Sequence, residues 1–417
     1  MAAPTAKHKM PPGNTSIEAN TTLKNVAYYT EWNVEFPPKM LPAADLSHVL
    51  YSFAQIDVDG TVHLPDLDAC CRAQYGSDIG TPVIEDTLFD SIKELYLLKK
   101  YNRHMKTLIS IGGWTYTHDS PNLAIAATTK EGRANFVASA VQLVKDFGFD
   151  GIDIDWEYPN NGDDAIDFVL LLKDLRAALD VYAERSAPRY HFLIAVACPS
   201  GASEYEKWFL KEMDQYLDSW HVMAYDYAGG WSNVAGHGSN LYYNDNNPAI
   251  TAFSAHKAIN GYIDAGIPAK KMIMGVPLYG RTFEHSQGLG MSHSGSMEIT
   301  YKDLPKTGAT EFYDPKLVAT WSFDPSIGEV VTYVGKEETN AKAEYVKEHR
   351  LGGMMWWEAS QDKRGNDSLI HIAAEKLGKL DNTQNWLSYP ESKYRNIRNG
   401  MKEESVVAKV AHWLGVW

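Results

Sequence analysis

Cysteine is nearly absent from this chain. Its 417 residues include only three, Cys70, Cys71 and Cys198, too few for a disulfide framework and an odd number that leaves at least one thiol free. No Cys/His spacing suggests zinc. No apolar run reaches the 18 residues that crossing a bilayer requires, and no Gly-x-Gly-x-x-Gly follows the first strand-like segment, which removes the usual dinucleotide reading. Positive charge is in deficit: 39 Lys and Arg face 53 Asp and Glu, a net charge of −14. With no cationic surplus to neutralise phosphates, nucleic acid and anionic membranes are excluded as partners, whereas a neutral polymer is compatible. The stretch from Met1 to about Thr22 is polar, lacks the apolar core of a secretory signal, and is expected to be a disordered leader over residues 1–23. What is abundant is aromatic surface, with 12 Trp and 24 Tyr in a chain that is 44% apolar and 22% charged. Such a chain is globular and can bury one large core or two moderate ones.

Short apolar runs alternate with longer amphipathic ones. Strand-like segments lie at 25–30, 49–56, 107–112, 149–159, 192–197, 220–225, 272–277 and 353–357. Between them Leu88, Ile92, Leu95 and Leu98 recur at helical spacing, as do Phe136, Ala140, Leu143 and Phe147, then Phe168, Leu172, Leu175 and Leu179, each set marking a helix buried on one face. Gly148 is placed to cap the second of these helices. Eight strand-helix repeats favour a closed parallel (β/α)8 barrel over an open doubly wound sheet. The connection from 281 to 351 is far longer than a βα unit needs and holds strand-like pieces such as 330–334, so it reads as an inserted subdomain. The resulting division is a barrel over 24–281 and 337–401, an insertion over 282–336, and a C-terminal amphipathic helix over 402–417. In that last segment Val406, Val410, Trp413 and Trp417 share a face, which is expected to pack on the barrel.

The fourth strand-like segment, Phe-Asp-Gly-Ile-Asp-Ile-Asp-Trp-Glu-Tyr-Pro at 149–159, carries the chemistry. Apolar and acidic residues alternate, so an extended chain projects Asp153, Asp155 and Glu157 from one face. Successive members have Cα atoms about 6.6 Å apart. Two charges at about 4 Å cost roughly 4 kcal/mol at an effective dielectric near 20, enough to move a pKa by about three. The file therefore retains one or more protons near neutral pH, which keeps a carboxylic acid available to donate. A merely solvated acidic face sits poorly with the strongly apolar opposite face of Phe149, Ile152, Ile154 and Trp156. A Ca²⁺ or Mg²⁺ site requires ligands that converge on one point, and a strand spreads them out.

Asp150-x-x-Asp153-x-Asp155-x-Glu157, flanked by Gly151, Trp156, Tyr158 and Pro159, resembles the signature of glycoside hydrolase family 18, the chitinases, on its fourth barrel strand. The tail at 381–401 is similar to the C-terminal segment of fungal class V members of the bacterial-like subgroup. The resemblance spans roughly residues 24–401. It implies a (β/α)8 TIM barrel with an α+β insertion between strands 7 and 8 that walls one side of a cleft. It also implies retaining, substrate-assisted, endo-acting hydrolysis of β-1,4-linked N-acetylglucosamine polymers by a monomer that uses no cofactor or metal. Family members imply an extracellular setting; with no signal peptide visible, an intracellular one is the alternative.

The same resemblance distributes the roles. Glu157 is the general acid and then the general base, Asp155 holds the acetamido nitrogen, and Asp153 shares a proton with Asp155, while Asp150 ties the strand base into the core. Ser110, before Gly112-Gly113-Trp114, and Tyr28 on the first strand sit behind the acids and buffer their charge. Tyr225, in Met223-Ala224-Tyr225-Asp226, hydrogen-bonds the acetamido oxygen, and Asp226 binds sugar beside the cleavage point. Met223, Gly113, Tyr279 and Arg281 match binding positions. Trp357 lies under the distorted sugar, with Trp32 and Trp114 extending the platform. A departure lies within 292–303, which is shorter and poorer in tryptophan than in fungal relatives. Two other readings share the fold: a non-catalytic chitin-binding lectin, which typically lacks the terminal acid present here as Glu157, and an endo-β-N-acetylglucosaminidase acting on N-glycans, which usually lacks the long insertion.

Overall fold

The computed structural model describes residues 22–65 and 86–402. The leader up to residue 21, Cys70, Cys71 and the helix expected beyond Lys402 lie outside the described residues. Eight parallel strands close on themselves: β1 (Lys24–Thr30), β2 (His48–Ile56), β4 (Lys106–Gly112), β5 (Gly151–Asp155), β6 (Leu193–Pro199), β7 (Ser219–Met223), β8 (Met272–Pro277) and β14 (Gly353–Trp357), with β14 pairing back onto β1. A two-residue β3 (Val62–His63) adds antiparallel to the end of β2. Nearly every barrel-strand residue is buried, as expected of strands covered by helices outside and by packed side chains within. Val26, Tyr28, Leu50, Leu108, Ala195, Ile273 and Met355 fill the barrel axis, separate from the larger core between strands and helices.

The helix Lys130–Phe147 shows how the sequence delivers the acidic strand. Thr129 caps its start by accepting from the Gly132 amide, and Gly148 ends it at φ 75°, sending an N–H back to the Val144 carbonyl. A Cβ at Gly148 would lie 2.6 Å from the Tyr96 ring, so only glycine fits this left-handed position. The chain then enters β5 directly through Phe149 and Asp150. Asp150 is buried against the Lys99 ammonium at 2.7 Å and also accepts from the Thr107 amide, the Trp386 amide and the Tyr190 hydroxyl, each at 2.8 Å. The ordered strand is shorter than the extended stretch expected from the alternation: pairing stops at Asp155, and Trp156 and Glu157 lie past the sheet edge.

Between β8 and β14 the chain builds a five-stranded antiparallel sheet in the order β10-β9-β13-β12-β11, from β9 (Tyr279–Phe283), β10 (Glu298–Thr300), β11 (Thr310–Asp314), β12 (Ala319–Asp324) and β13 (Glu329–Tyr333). Its helical part is a short 3-10 turn at Tyr301–Asp303, and the helix Lys336–Glu348 then leads back to β14. The sheet starts at Tyr279, three residues before the boundary drawn at 282, so Tyr279 and Arg281 belong to the insertion and not to the barrel. Only Leu278 separates β8 from β9. A buried ion pair, Lys342 to Glu338 at 2.9 Å, fastens this region: Glu338 accepts from the Thr320 amide on β12, and Lys342 donates to the Ser239 carbonyl in the loop after β7. The strand expected at 220–225 ends at Met223, because Asp226 turns the chain at φ 57°.

Candidate active site

A cleft of about 1350 Å³ opens at the C-terminal ends of the barrel strands, lined by residues of β1, β2, β4, β5, β7 and β14 and of the connections that follow them. Asp153, Asp155 and Glu157 run upward in file from the barrel axis to its floor. Asp153 is fully buried, and its Oδ2 accepts hydrogen bonds from the Tyr28 hydroxyl at 2.9 Å and the Ser110 hydroxyl at 2.7 Å. Asp155 is buried with Oδ1 unpartnered. Burial, then the neighbouring Glu157 and Asp153, push its carboxyl well above the usual range. Glu157 lines the cleft, and burial pushes it up to about 7, with Asp226 adding to the rise and the Tyr158 hydroxyl opposing it. Desolvation and like charge thus hold protons in the file near neutrality.

The remaining residues singled out from the sequence fall into three groups. Tyr28, Trp32, Gly113, Trp114, Met223, Tyr225, Asp226, Arg281 and Trp357 line the same cleft as Asp155 and Glu157. Asp153, Ser110 and Tyr279 stand directly behind that wall. Asp150 lies at the opposite end of β5, in the network described above. Burial and the facing Asp155 and Glu157 raise the Tyr225 phenol far above its ordinary value, so it remains a hydrogen-bond donor. Arg281 reaches Asp226 Oδ1 at 2.8 Å and Glu298 at 3.5 Å, joining the inserted sheet to the barrel rim.

Aromatic rings pave the cleft. Phe53 stacks on Trp357 (5.7 Å, 23°) and on Trp32 (6.2 Å, 25°), and Tyr28 meets Trp357 edge-on at 5.0 Å. A Cβ at Gly113 would lie 2.7 Å from Phe53, which explains glycine there. Trp114 is half exposed and stacks on His118. Trp231, 63% exposed, holds the Arg281 guanidinium 5.4 Å from its ring. Phe53, Trp231 and Glu298 line the site without having been picked out from the sequence. Phe53 sits in an apolar strand and reads as core, and Glu298 falls in a stretch with no periodic signal. Trp231 did leave a trace, following Gly229-Gly230 five residues beyond Asp226.

A barrel-end groove paved with aromatic rings, with a protonated carboxyl in its wall and a second buried carboxyl beside it, defines a glycoside hydrolase: it offers proton donation, charge stabilisation and a flat apolar bed for a pyranose. The profile of Glycosyl hydrolases family 18 matches residues 24–362, and the chain belongs to that family. Chitinase 1 of Aphanocladium album is 43% identical over 387 residues, 90% of each chain. Endochitinase 1 of Metarhizium robertsii is also 43% identical over 387 residues, with the same coverage. Among solved structures, chitinase ChiA74 from Bacillus thuringiensis superimposes with a TM-score of 0.78 at 26% identity, covering 86% of this chain and 70% of that one.

Proposed function

We propose that this protein is an endo-acting chitinase that hydrolyses β-1,4-linked N-acetylglucosamine polymers with retention of configuration, acting as an extracellular monomer. The observation that carries this reading is the placement of Glu157 in the cleft wall beside a second, buried acid, Asp155, where burial pushes the Glu157 carboxyl up to about 7. Glu157 donates that proton to the glycosidic oxygen as the bond breaks, a step typically worth about 10²- to 10⁴-fold. Family 18 glycosidases are substrate-assisted: the carbonyl oxygen of the sugar's own 2-acetamido group closes on the anomeric carbon and forms an oxazolinium ion. Asp155 accepts the acetamido N–H through its carbonyl oxygen, and that fixed dipole stabilises the developing positive charge. The Tyr225 hydroxyl holds the acetamido oxygen in line. Water, deprotonated by the now anionic Glu157, then opens the ring from the face the leaving sugar vacated.

Trp357 supports the reacting sugar, and the Trp32–Phe53 stack extends the bed in one direction. Trp114 and Trp231, with Asp226, Arg281, Met223, Tyr279 and the space left by Gly113, hold further sugars. Tyr28 and Ser110 buffer Asp153. The high identity to relatives named chitinase and endochitinase supports the choice of substrate. A lectin reading is disfavoured because the terminal acid is in place.

The test is Glu157→Gln assayed on chitohexaose. Turnover is expected to vanish while the oligosaccharide still binds, and native-like turnover would remove Glu157 from the acid role. A thiazoline analogue of the oxazolinium ion is expected to inhibit competitively. Indifference to it would favour an enzyme-bound ester.

A further inference from the structure

Below the acidic file the barrel interior holds ionisable groups that the reaction described above does not use. His221, on β7, is buried and places Nδ1 3.5 Å from Asp153 Oδ1. Neither of these two atoms has a hydrogen-bond partner, although Asp153 Oδ2 on the other side has two. Ser219 Oγ lies 3.1 Å from His221 Nε2. From the other strands, the ionisable groups that face this imidazole are Asp153 on β5 and His48 on β2, with Tyr28 of β1 across the carboxylate. Behind His48 stand Lys24 at the start of β1 and Lys106 at the start of β4. Its register neighbours on β6 and β8, Ala197 and Ile273, carry no charge. Burial, with Lys106 and Lys24, holds His48 well below the ordinary histidine range, which keeps that ring neutral.

A carboxylate oxygen and an imidazole nitrogen that are both buried and both unpartnered are each costly. One proton between them satisfies both. We propose that His221 is a positioning residue that holds a proton against Asp153 Oδ1, keeping Asp153 ionised so that the proton of the acidic pair resides on Asp155. This rests on the catalytic reading given above. Two proton states serve. In the neutral ring Nδ1–H faces Asp153 and Nε2 accepts from the Ser219 hydroxyl; in the charged ring Nε2–H donates to Ser219 Oγ, and the positive charge opposes a second proton on Asp153 and Asp155. An opposite charge within about 4–6 Å moves a carboxylate pKa down by about 1–3, so His221 extends activity toward acid pH.

Two measurements test this. In the first, kcat is followed against pH in the native protein and in His221→Asn and His221→Gln. The acid limb is expected to rise by about one pH unit in both variants, with the alkaline limb in place. A purely structural role would lower kcat equally at all pH values, and an unmoved acid limb overturns the proposal. In the second, imidazole ¹⁵N resonances of the full chain are titrated with and without Asp153→Asn. One histidine midpoint is expected to fall by about one pH unit; if none moves, the proton is not shared. The titration needs no substrate, so it decides the coupling even if the native protein fails to cleave chitooligosaccharides, an outcome that would sink only the functional reading.

Discussion

Glu157 enters the cleft already stripped of most of its water, and its proton can be followed in two ways. In the folded chain its carboxyl titrates at about 7, against an ordinary 4.5. The folded state therefore keeps a proton that the unfolded chain releases between those values. That contribution to stability is fully present below about pH 4.5 and is lost as pH climbs through 7; at about 1.4 kcal/mol per pH unit the loss is at most about 3–4 kcal/mol. Glu157→Gln removes the ionisation, so calorimetric melting should show the variant matching the native protein near pH 4.5 and exceeding it in Tm at pH 8. An offset independent of pH would mean the carboxyl is not held as described. Turnover should decline above about pH 7 for the same reason. Tyr225→Phe, which deletes the hydroxyl proposed to hold the acetamido oxygen, is expected to lower kcat by roughly 10²-fold with KM little changed, as steady-state kinetics on chitotetraose would report. The acids were legible because alternation with period 2 can be read without coordinates. The partner of Asp153 on the far side, His221, was not, since one histidine in an apolar strand carries no signal until the barrel closes.

At the scale of elements, the eight strands could be found from their apolar runs because parallel strands buried on both faces leave that signature. The inserted sheet was legible only as excess length. Its edges were blurred because a single residue, Leu278, joins β8 to β9 and because short antiparallel strands with exposed faces carry weak periodicity. The insertion adds a wall to the cleft: Arg281 on β9 pairs with Asp226 on the barrel side and with Glu298 on β10, and Trp231 lies over the guanidinium. That wall stands at a distance from Glu157's proton, so its contribution should depend on substrate length. Trp231→Ala is expected to raise KM for chitohexaose about tenfold, equivalent to about 1.4 kcal/mol of lost stacking. Chitotriose should be hydrolysed much as before. Equal losses on both substrates would place Trp231 in the support of the reacting sugar.

Across the whole molecule, the tail after the last barrel helix is bound to the base of the same strand that carries the acids. Asn385 donates to the carbonyls of Lys99 and Met105, both at 2.7 Å, Trp386 sends its amide to Asp150, and the Tyr389 hydroxyl reaches the Phe149 carbonyl at 2.8 Å. Lys99 and Asp150 at the centre are both fully buried, and burial draws the Lys99 ammonium down to about 8 against the pull of Asp150. Removing one partner of a buried pair leaves the other charge uncompensated, so Lys99→Met should cost about 3–5 kcal/mol in urea unfolding. An isolated buried pair is often replaceable by apolar residues at little cost, but Asp150 also accepts from two backbone amides and the Tyr190 hydroxyl. The double variant Lys99→Met/Asp150→Leu leaves the buried Thr107 amide and the half-buried Trp386 amide and Tyr190 hydroxyl without their acceptor, and a fully buried orphan of this kind costs about 1–3 kcal/mol. It should therefore be no more stable than Lys99→Met alone. Recovery to within about 1 kcal/mol of the native protein, smaller than the cost of even one orphaned donor, would reduce the junction to a simple ion pair and release the tail from any role in holding the acidic strand.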